Sequence, residues 1–279
     1  MTGIRQPCVA GLFYPKQKAE LSRTISDMFD ATDIDPALEK SVISVVAPHA
    51  GYAYSGRIAA RAYRALASMH ATRQIDTFVV VGPNHTGNGA ALSVSMNDWN
   101  TPLGRVANDC EFSSVLASTS GLAADELAHM GEHSVEVQLP FLQLAIKDPK
   151  CSFICMGDQS ATAAKVVSSA ITKAGDETGR TVAVIASSDF NHYEPASVAL
   201  EKDTPAIERI LKMDIEGFYT SLSAARDTAC GFGPIAVAAD FAKARGAVSG
   251  VLLKYGNSGD STGDYSSVVA YASIAFCKS

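Results

Sequence analysis

Long apolar runs are missing from this 279-residue sequence. No segment approaches the ~18 consecutive apolar residues that a bilayer-spanning helix needs, so no membrane contact is expected. Clustered positive charge is missing too. Lys and Arg number 23 against 29 Asp and Glu, a formal net charge of -6, so no basic face is expected to meet nucleic acid. The opening MTGIRQPCVAGLFYP carries no apolar secretory core. CxxC pairs are absent: the cysteines at 8, 110, 151, 155, 230 and 277 are scattered. In a chain of this length that spacing excludes a disulfide framework and points to reduced thiols in a cytoplasmic protein. Neither a repeat nor a low-complexity linker divides the chain, and residues 1–279 read as one domain.

What is present is an alternation of β-branched runs with segments of helical period. Strands are expected at 42–47, 77–82, 91–96, 152–157, 181–187, 250–255 and 267–276. Their near-continuous Val and Ile, without clean alternation, imply burial on both faces. Helices are expected at 18–29, 56–68 with Ser55 as N-cap, 133–146 with a kink at Pro140, 161–174, 197–213 and 233–244. Together these make an α/β/α sandwich around a largely parallel or mixed sheet.

Several apolar strands end in polar, chemically useful residues. VVAPHAG delivers His49, VVVGPNHTG delivers His85, and VIASSDFNH delivers Asp189 and His192. In open α/β sheets ligands bind beyond the carboxyl ends of the strands, so these residues belong to one rim. Imidazoles on rigid strand ends can fix part of a metal's coordination sphere. A third ligand candidate is Cys230 in TACGFGPI, where the following helix N-terminus favours a thiolate. Asp189 and His192 share a short turn suited to proton transfer, and His133 in GEHSVEVQLP opens a helix that faces the same rim. Each residue also has a plain reading. His49 alone reads as a cap, Cys230 as a buried thiol, Asp189 as an N-cap and Glu132 as a dipole partner. Tyr52 and Tyr54 read as packing under the first loop, and His70 and His129 fall in polar segments expected at the surface. The coincidence of strand-end placements favours metal binding.

The stretches AGLFYP, APHAGYAYSG, GPNHTG, GEHSVEVQLPFLQ, SSDFNHY, TACGFGPI and DYSSVVAYASIAF span nearly the whole chain and resemble the MEMO family. Bacterial and archaeal members of that family carry the name AmmeMemoRadiSam system protein B. The resemblance implies a fold similar to class III extradiol dioxygenases. It also implies iron or copper held by His49, His85 and Cys230, with Asp189, His192 and His133 lining the pocket in catalytic roles and Phe13 near its mouth. Those dioxygenases use a carboxylate as third iron ligand. Cys230 in that place is softer and oxidisable, so dioxygenase activity does not transfer with the fold. The expected function is redox or oxygen-dependent chemistry on a small substrate. The alternative is a non-catalytic pocket for a peptide or anionic ligand within a multi-protein system, with AMMECR-type and radical-SAM partners implied by the family name. A zinc hydrolase ranks behind both.

Overall fold

Val, Ile and Ala crowd four short runs so densely that each must be covered on both faces, and these runs form the middle of the sheet. The computed structural model describes residues 3–33, 35, 38 and 41–279. Its first half contains β1 (Ile4–Arg5), α1 (Lys18–Asp30), β2 (Val42–Ala47), α2 (Tyr52–Thr72) and β3 (Thr77–Pro83). Next come β4 (Leu92–Ser95), β5 (Asp98–Thr101), β6 (Gly104–Asn108), α3 (Cys110–Ser118), β7 (Ala123–Ala124) and α4 (Leu127–Met130). Then follow α5 (Leu139–Ala145), β8 (Lys150–Met156), α6 (Ala161–Thr178), β9 (Val182–Ser187) and β10 (His192–Glu194). The chain continues with α7 (Ala196–Leu211), α8 (Ile215–Ala225), α9 (Phe232–Ala244), β11 (Ser249–Asn257), α10 (Gly259–Thr262) and β12 (Val268–Cys277).

Strands β8, β3, β9 and β2 lie side by side and parallel. The antiparallel β12 extends this group beyond β2, and β11 pairs with its far edge. At the other side β6 runs parallel to β8 and leads through β5 to β1. Side-chain alternation divides the core into two layers. Val79, Val81, Ile154 and Val184 face a layer built from α3, α6, α7, α8 and α9. Val45, Phe78, Val80, Phe153 and Ile185 face α1, α2 and α5. The expected α/β/α sandwich with a mixed sheet is the observed one. Among the described residues, no helix is long and apolar enough to cross a membrane.

Local corrections follow from burial and hydrogen bonding. Helix α2 begins four residues early, at Tyr52, with Gly51 at the N-cap. Ser55 therefore lies inside it, buried, and its hydroxyl donates to Ala50 O at 2.9 Å. The segment expected as one helix over 133–146 is a turn, a 3₁₀ turn at Glu136–Gln138 and the short α5. Pro140 causes no kink there because it occupies the first turn of α5, where its missing N–H has no partner to lose. The run at 250–255 is an antiparallel edge strand with several exposed side chains.

Candidate metal centre at the strand ends

Parallel pairing of β2 with β9, Ala47 opposite Ser187, fixes the first histidine. His49 N donates to Asp189 Oδ1 at 2.8 Å, and its Nδ1 lies 2.8 Å from Ser187 Oγ. Ser187 spends its only proton on Ser134 O at 2.6 Å and accepts from Gln138 Nε2 at 2.8 Å. The ring must therefore be the donor in its contact with Ser187. Nδ1 of His49 carries the hydrogen, and Nε2 keeps its lone pair for the cavity.

A second histidine follows β3. Its loop is shaped by Asn84, whose side chain accepts from the backbone N–H groups of Thr86 and Gly87, both at 3.0 Å. His85 then meets Glu132 twice. Its backbone N donates to Oε2 at 2.5 Å and its Nδ1 to Oε1 at 3.0 Å. The same carboxylate accepts from the backbone N of His133 at 2.8 Å and of Ser134 at 2.9 Å, and lies 3.3 Å from His133 Nδ1. Burial would raise the Glu132 pKa, but these donors outweigh it and hold the carboxyl at about 2. An ionised carboxylate only accepts, so the proton of His85 sits on Nδ1 and its Nε2 is free. The plain reading of Glu132 as a dipole partner understated it.

The three rings converge. Centroid separations are 5.2 Å for His49–His85, 5.4 Å for His49–His133 and 4.8 Å for the stacked His85–His133 pair. One ligating atom from each of these three histidines falls within 4.8 Å of the others, close enough for a single metal ion. Burial lowers the pKa of His49 well below the usual imidazole value, and the neighbouring His133 and His85 add to the effect. Burial lowers that of His133 too, against the opposing pull of Glu132. Neutral imidazole is the form that ligates.

Cys230 borders this group on the side of His49, with Sγ 3.2 Å from His49 Nε2. Gly231 makes that approach possible, because a Cβ there would overlap the Ser187 carbonyl oxygen. Gln159 clamps the turn by donating to Cys230 O at 2.8 Å and accepting from Gly233 N at 2.9 Å. The thiolate expected from the α9 N-terminus is opposed by the surroundings. Enclosure by protein raises the thiol pKa well above normal, and the Asp189 carboxyl adds to it. A bound cation is what would reverse that balance.

Asp189 and His192 both line the cavity, but they do not form a pair. Asp189 turns to the His49 backbone, and burial pushes its carboxyl up to about 7 against the N–H groups of His49 and Ala50. His192 Nδ1 lies 3.0 Å from Thr228 O. A carbonyl only accepts, so Nδ1 carries the proton and Nε2 is a free base; burial lowers the ring's pKa. Phe13 lies against His133 with centroids 4.8 Å apart. Tyr52 packs beneath the loop, its hydroxyl donating to Val137 O at 2.7 Å, whereas Tyr54 lines the cavity at 47% exposure. His129, expected at the surface, is buried under Trp99, and only His70 remains partly exposed. The sequence reading passed over Ser187, Gln138 and Thr228, whose roles depend on contacts between residues remote in the chain. The cavity measures about 840 Å³.

An α/β sandwich with an imidazole-lined pocket at its strand ends is therefore the class of protein defined here. A sequence-family model described as Memo-like protein matches residues 5–275. The chain is 43% identical over 272 residues to a MEMO1 family protein of Methanosarcina acetivorans, covering 97% of this chain and 98% of that one. It is 44% identical to a MEMO1 family protein of Methanococcoides burtonii over 272 residues, 97% and 99% of the two chains. A crystal structure of an uncharacterized protein from Escherichia coli K12 superposes with a TM-score of 0.53 at 11% identity, over 84% of this chain and 99% of that one, a likeness of fold alone. The chain belongs to the Memo-like protein family.

Proposed function

We propose that this chain is a cytoplasmic metalloprotein that binds iron or copper at the strand-end pocket and carries out redox or oxygen-dependent chemistry on a small substrate. The observation that carries the reading is the convergence of three imidazoles whose ligating atoms lie within 4.8 Å. The donor set fits the group: imidazole suits iron, copper and zinc, and an added thiolate shifts preference towards copper. His49 and His85 are ligands in either arrangement, with Cys230 as the third and His133 left to meet the ligand, or with His133 as the third. A bound ion would supply Lewis acidity and a one-electron couple. The chain's own groups do the rest. Glu132 and Ser187 hold the rings in the ligating tautomer. His192 Nε2 accepts a proton from the ligand, and Asp189 keeps the His49 loop in place.

Elemental analysis of untagged protein expressed without added metal tests the reading. His85→Ala is expected to abolish bound iron and copper, while Cys230→Ser and His133→Asn separate the two third-ligand arrangements. Unchanged metal content in His49→Ala and His85→Ala refutes metal binding. Oxygen uptake by the loaded protein then tests the chemistry.

A second reading is a non-catalytic pocket that docks a peptide from AMMECR-type or radical-SAM partners. It is favoured by the apolar side chains left exposed at the mouth, Leu12 at 79% and Tyr193 at 78%. Ligand binding that persists after complete metal removal, with no oxygen uptake, is its signature.

A further inference from the structure

A pocket this size with no fixed positive charge restricts what it can hold. Among the described residues, neither Lys nor Arg lines the cavity, whereas two carboxylates do, Asp189 and Asp264. Helix N-termini are the other common source of attraction for anions. The two longer helices that start at the cavity are α2 and α9, and several N–H groups at each start are already taken by the protein itself. Near α2, the N–H groups of His49 and Ala50 serve the Asp189 carboxyl and Tyr52 N donates to Phe13 O at 2.8 Å. At α9, Gly231 N donates to Ser188 Oγ at 3.0 Å and Gly233 N to Gln159 Oε1 at 2.9 Å. A carboxylate or phosphate entering this space would meet only neutral donors such as the Tyr54 and Ser267 hydroxyls, with no Lys or Arg among the described lining residues to offset its lost hydration.

The opposite wall is built for the other sign. Asp264 Oδ1 accepts from Ser266 N at 2.9 Å and Ser266 Oγ at 2.6 Å, and these two bonds lower the pKa of the carboxyl and keep it ionised. Asp264 N donates to Thr262 Oγ1 at 3.1 Å, which fixes the turn. Oδ2 has no hydrogen-bond partner among the described residues. Aromatic faces lie nearby. Tyr193 sits at the register shift between His192 and Glu194, where β10 pairs with β12, and holds φ 63°, a left-handed conformation that is costly for a tyrosine. The bulge turns its ring out over the mouth, where Tyr54 and Phe13 also stand. Strain kept at a cavity rim, with an exposed aromatic on it, is the pattern of a ligand clamp.

We infer that the cavity takes small organic cations, an aromatic or apolar body carrying an ammonium group that meets Asp264 Oδ2 while Tyr54 and Tyr193 lie against it. The inference rests on the reading of this site given above only in that the cavity receives a ligand; it describes the metal-free cavity, because a bound metal cation would itself attract anionic groups. Rings of tyrosine attract ammonium groups through their negative faces. The net charge of -6 steers cations towards the protein in addition.

Calorimetric titration with 2-phenylethylammonium, 2-phenylethanol and phenylacetate tests the sign of the ligand on a constant body. It is run on the protein as purified, with its metal content measured, and again after chelation, with thermal unfolding to verify the fold. In the chelated protein the ammonium probe is expected to bind on the order of tenfold more tightly than phenylacetate. Asp264→Asn should erase most of the advantage of the ammonium probe over 2-phenylethanol, and Tyr193→Ala should weaken all probes that bind. Phenylacetate binding as tightly as the ammonium, an Asp264→Asn variant indistinguishable from the parent, or no binding by any probe overturns the inference. The metal measurement separates the two readings, because the ammonium preference can hold in protein that never contained metal, and metal can bind where the preference fails.

Discussion

Replacing Glu132 by Gln keeps the shape of the side chain and removes its charge, at a position 0% exposed. The carboxylate accepts four hydrogen bonds, from His85 N, His85 Nδ1, His133 N and Ser134 N, at 2.5 to 3.0 Å. Glutamine offers one acceptor oxygen. Its least costly placement leaves that oxygen on the Oε1 side, facing three donors, and sets the amide nitrogen against the backbone N–H of His85. One buried donor then faces another donor, a loss of about 1–3 kcal/mol in fold stability. The bond to His85 Nδ1 also loses its charge, which weakens the hold on both tautomer and ring orientation. Outer partners of ligating histidines are worth about 10- to 100-fold in metal affinity. The assay is competition with a chromophoric chelator, alongside urea unfolding of metal-free protein. A variant that loses stability but keeps its metal affinity within about threefold of the parent would refute the reasoning, because Glu132 would then support the loop and nothing else.

Other perturbations probe the frame around the site. Phe141 is buried with its ring 4.6 Å from Tyr52 and stacked 5.3 Å from Tyr63, so Phe141→Ala should cost about 3–5 kcal/mol in a urea titration, and a cost under about 1 kcal/mol would contradict that packing. Gly231→Ala must push the start of α9 off the Ser187 carbonyl and carry Cys230 away from His49; a variant with unchanged stability and unchanged metal content would show that this close approach is not required. Burial, with the Asp227 carboxyl beside it, pushes Asp203 up to about 8. A raised carboxyl pKa contributes stability that is whole below the unfolded value near 4 and is lost as pH rises through the folded value, so urea midpoints should fall between pH 4 and 8. Asp227 Oδ2 is buried without a partner, the place a shared proton would occupy. Asp227→Asn supplies an N–H there and should flatten the fall, whereas a slope equal to the parent's would count against proton sharing.

Much of the frame was legible because its physics is local. The runs at 42–47, 77–82, 152–157 and 181–187 are apolar on both faces, and only inner strands of a covered sheet satisfy that. The β5–β6 hairpin was not legible, because its strands are short and polar. Asn108 and Asp98 are tolerated in its interior since Asn108 N donates to Asp98 Oδ1 at 2.7 Å and Asn108 Nδ2 to Ser95 O at 2.8 Å. His129 looked exposed beside polar neighbours, and only the fold reveals that Trp99 covers it. At the site, His49 and His85 announced themselves by following apolar strands. His133 and Glu132 stood out only as the opening of an expected helix, because no strand precedes them; the turn that carries them reaches the rim through Ser134, whose hydroxyl donates to Pro83 O at 2.8 Å and whose carbonyl accepts from Ser187. Links between residues so distant in sequence leave no mark in spacing or composition.

Strand β12 joins β2 along Val42–Val46, more than two hundred positions earlier in the chain, while Val268 and Val269 at its other end wall the cavity. During synthesis on a ribosome, the edge of β2 stays open until the chain has been made through Cys277. Everything up to β9 can assemble its parallel core beforehand, with His49 and His85 already in place and no wall opposite them. The nascent protein thus passes through a stage with an unpaired, sticky edge next to half-built ligand sites. Closing that edge and finishing the pocket are one event, so a chain interrupted before β12 would be prone to aggregate and unable to enclose a ligand.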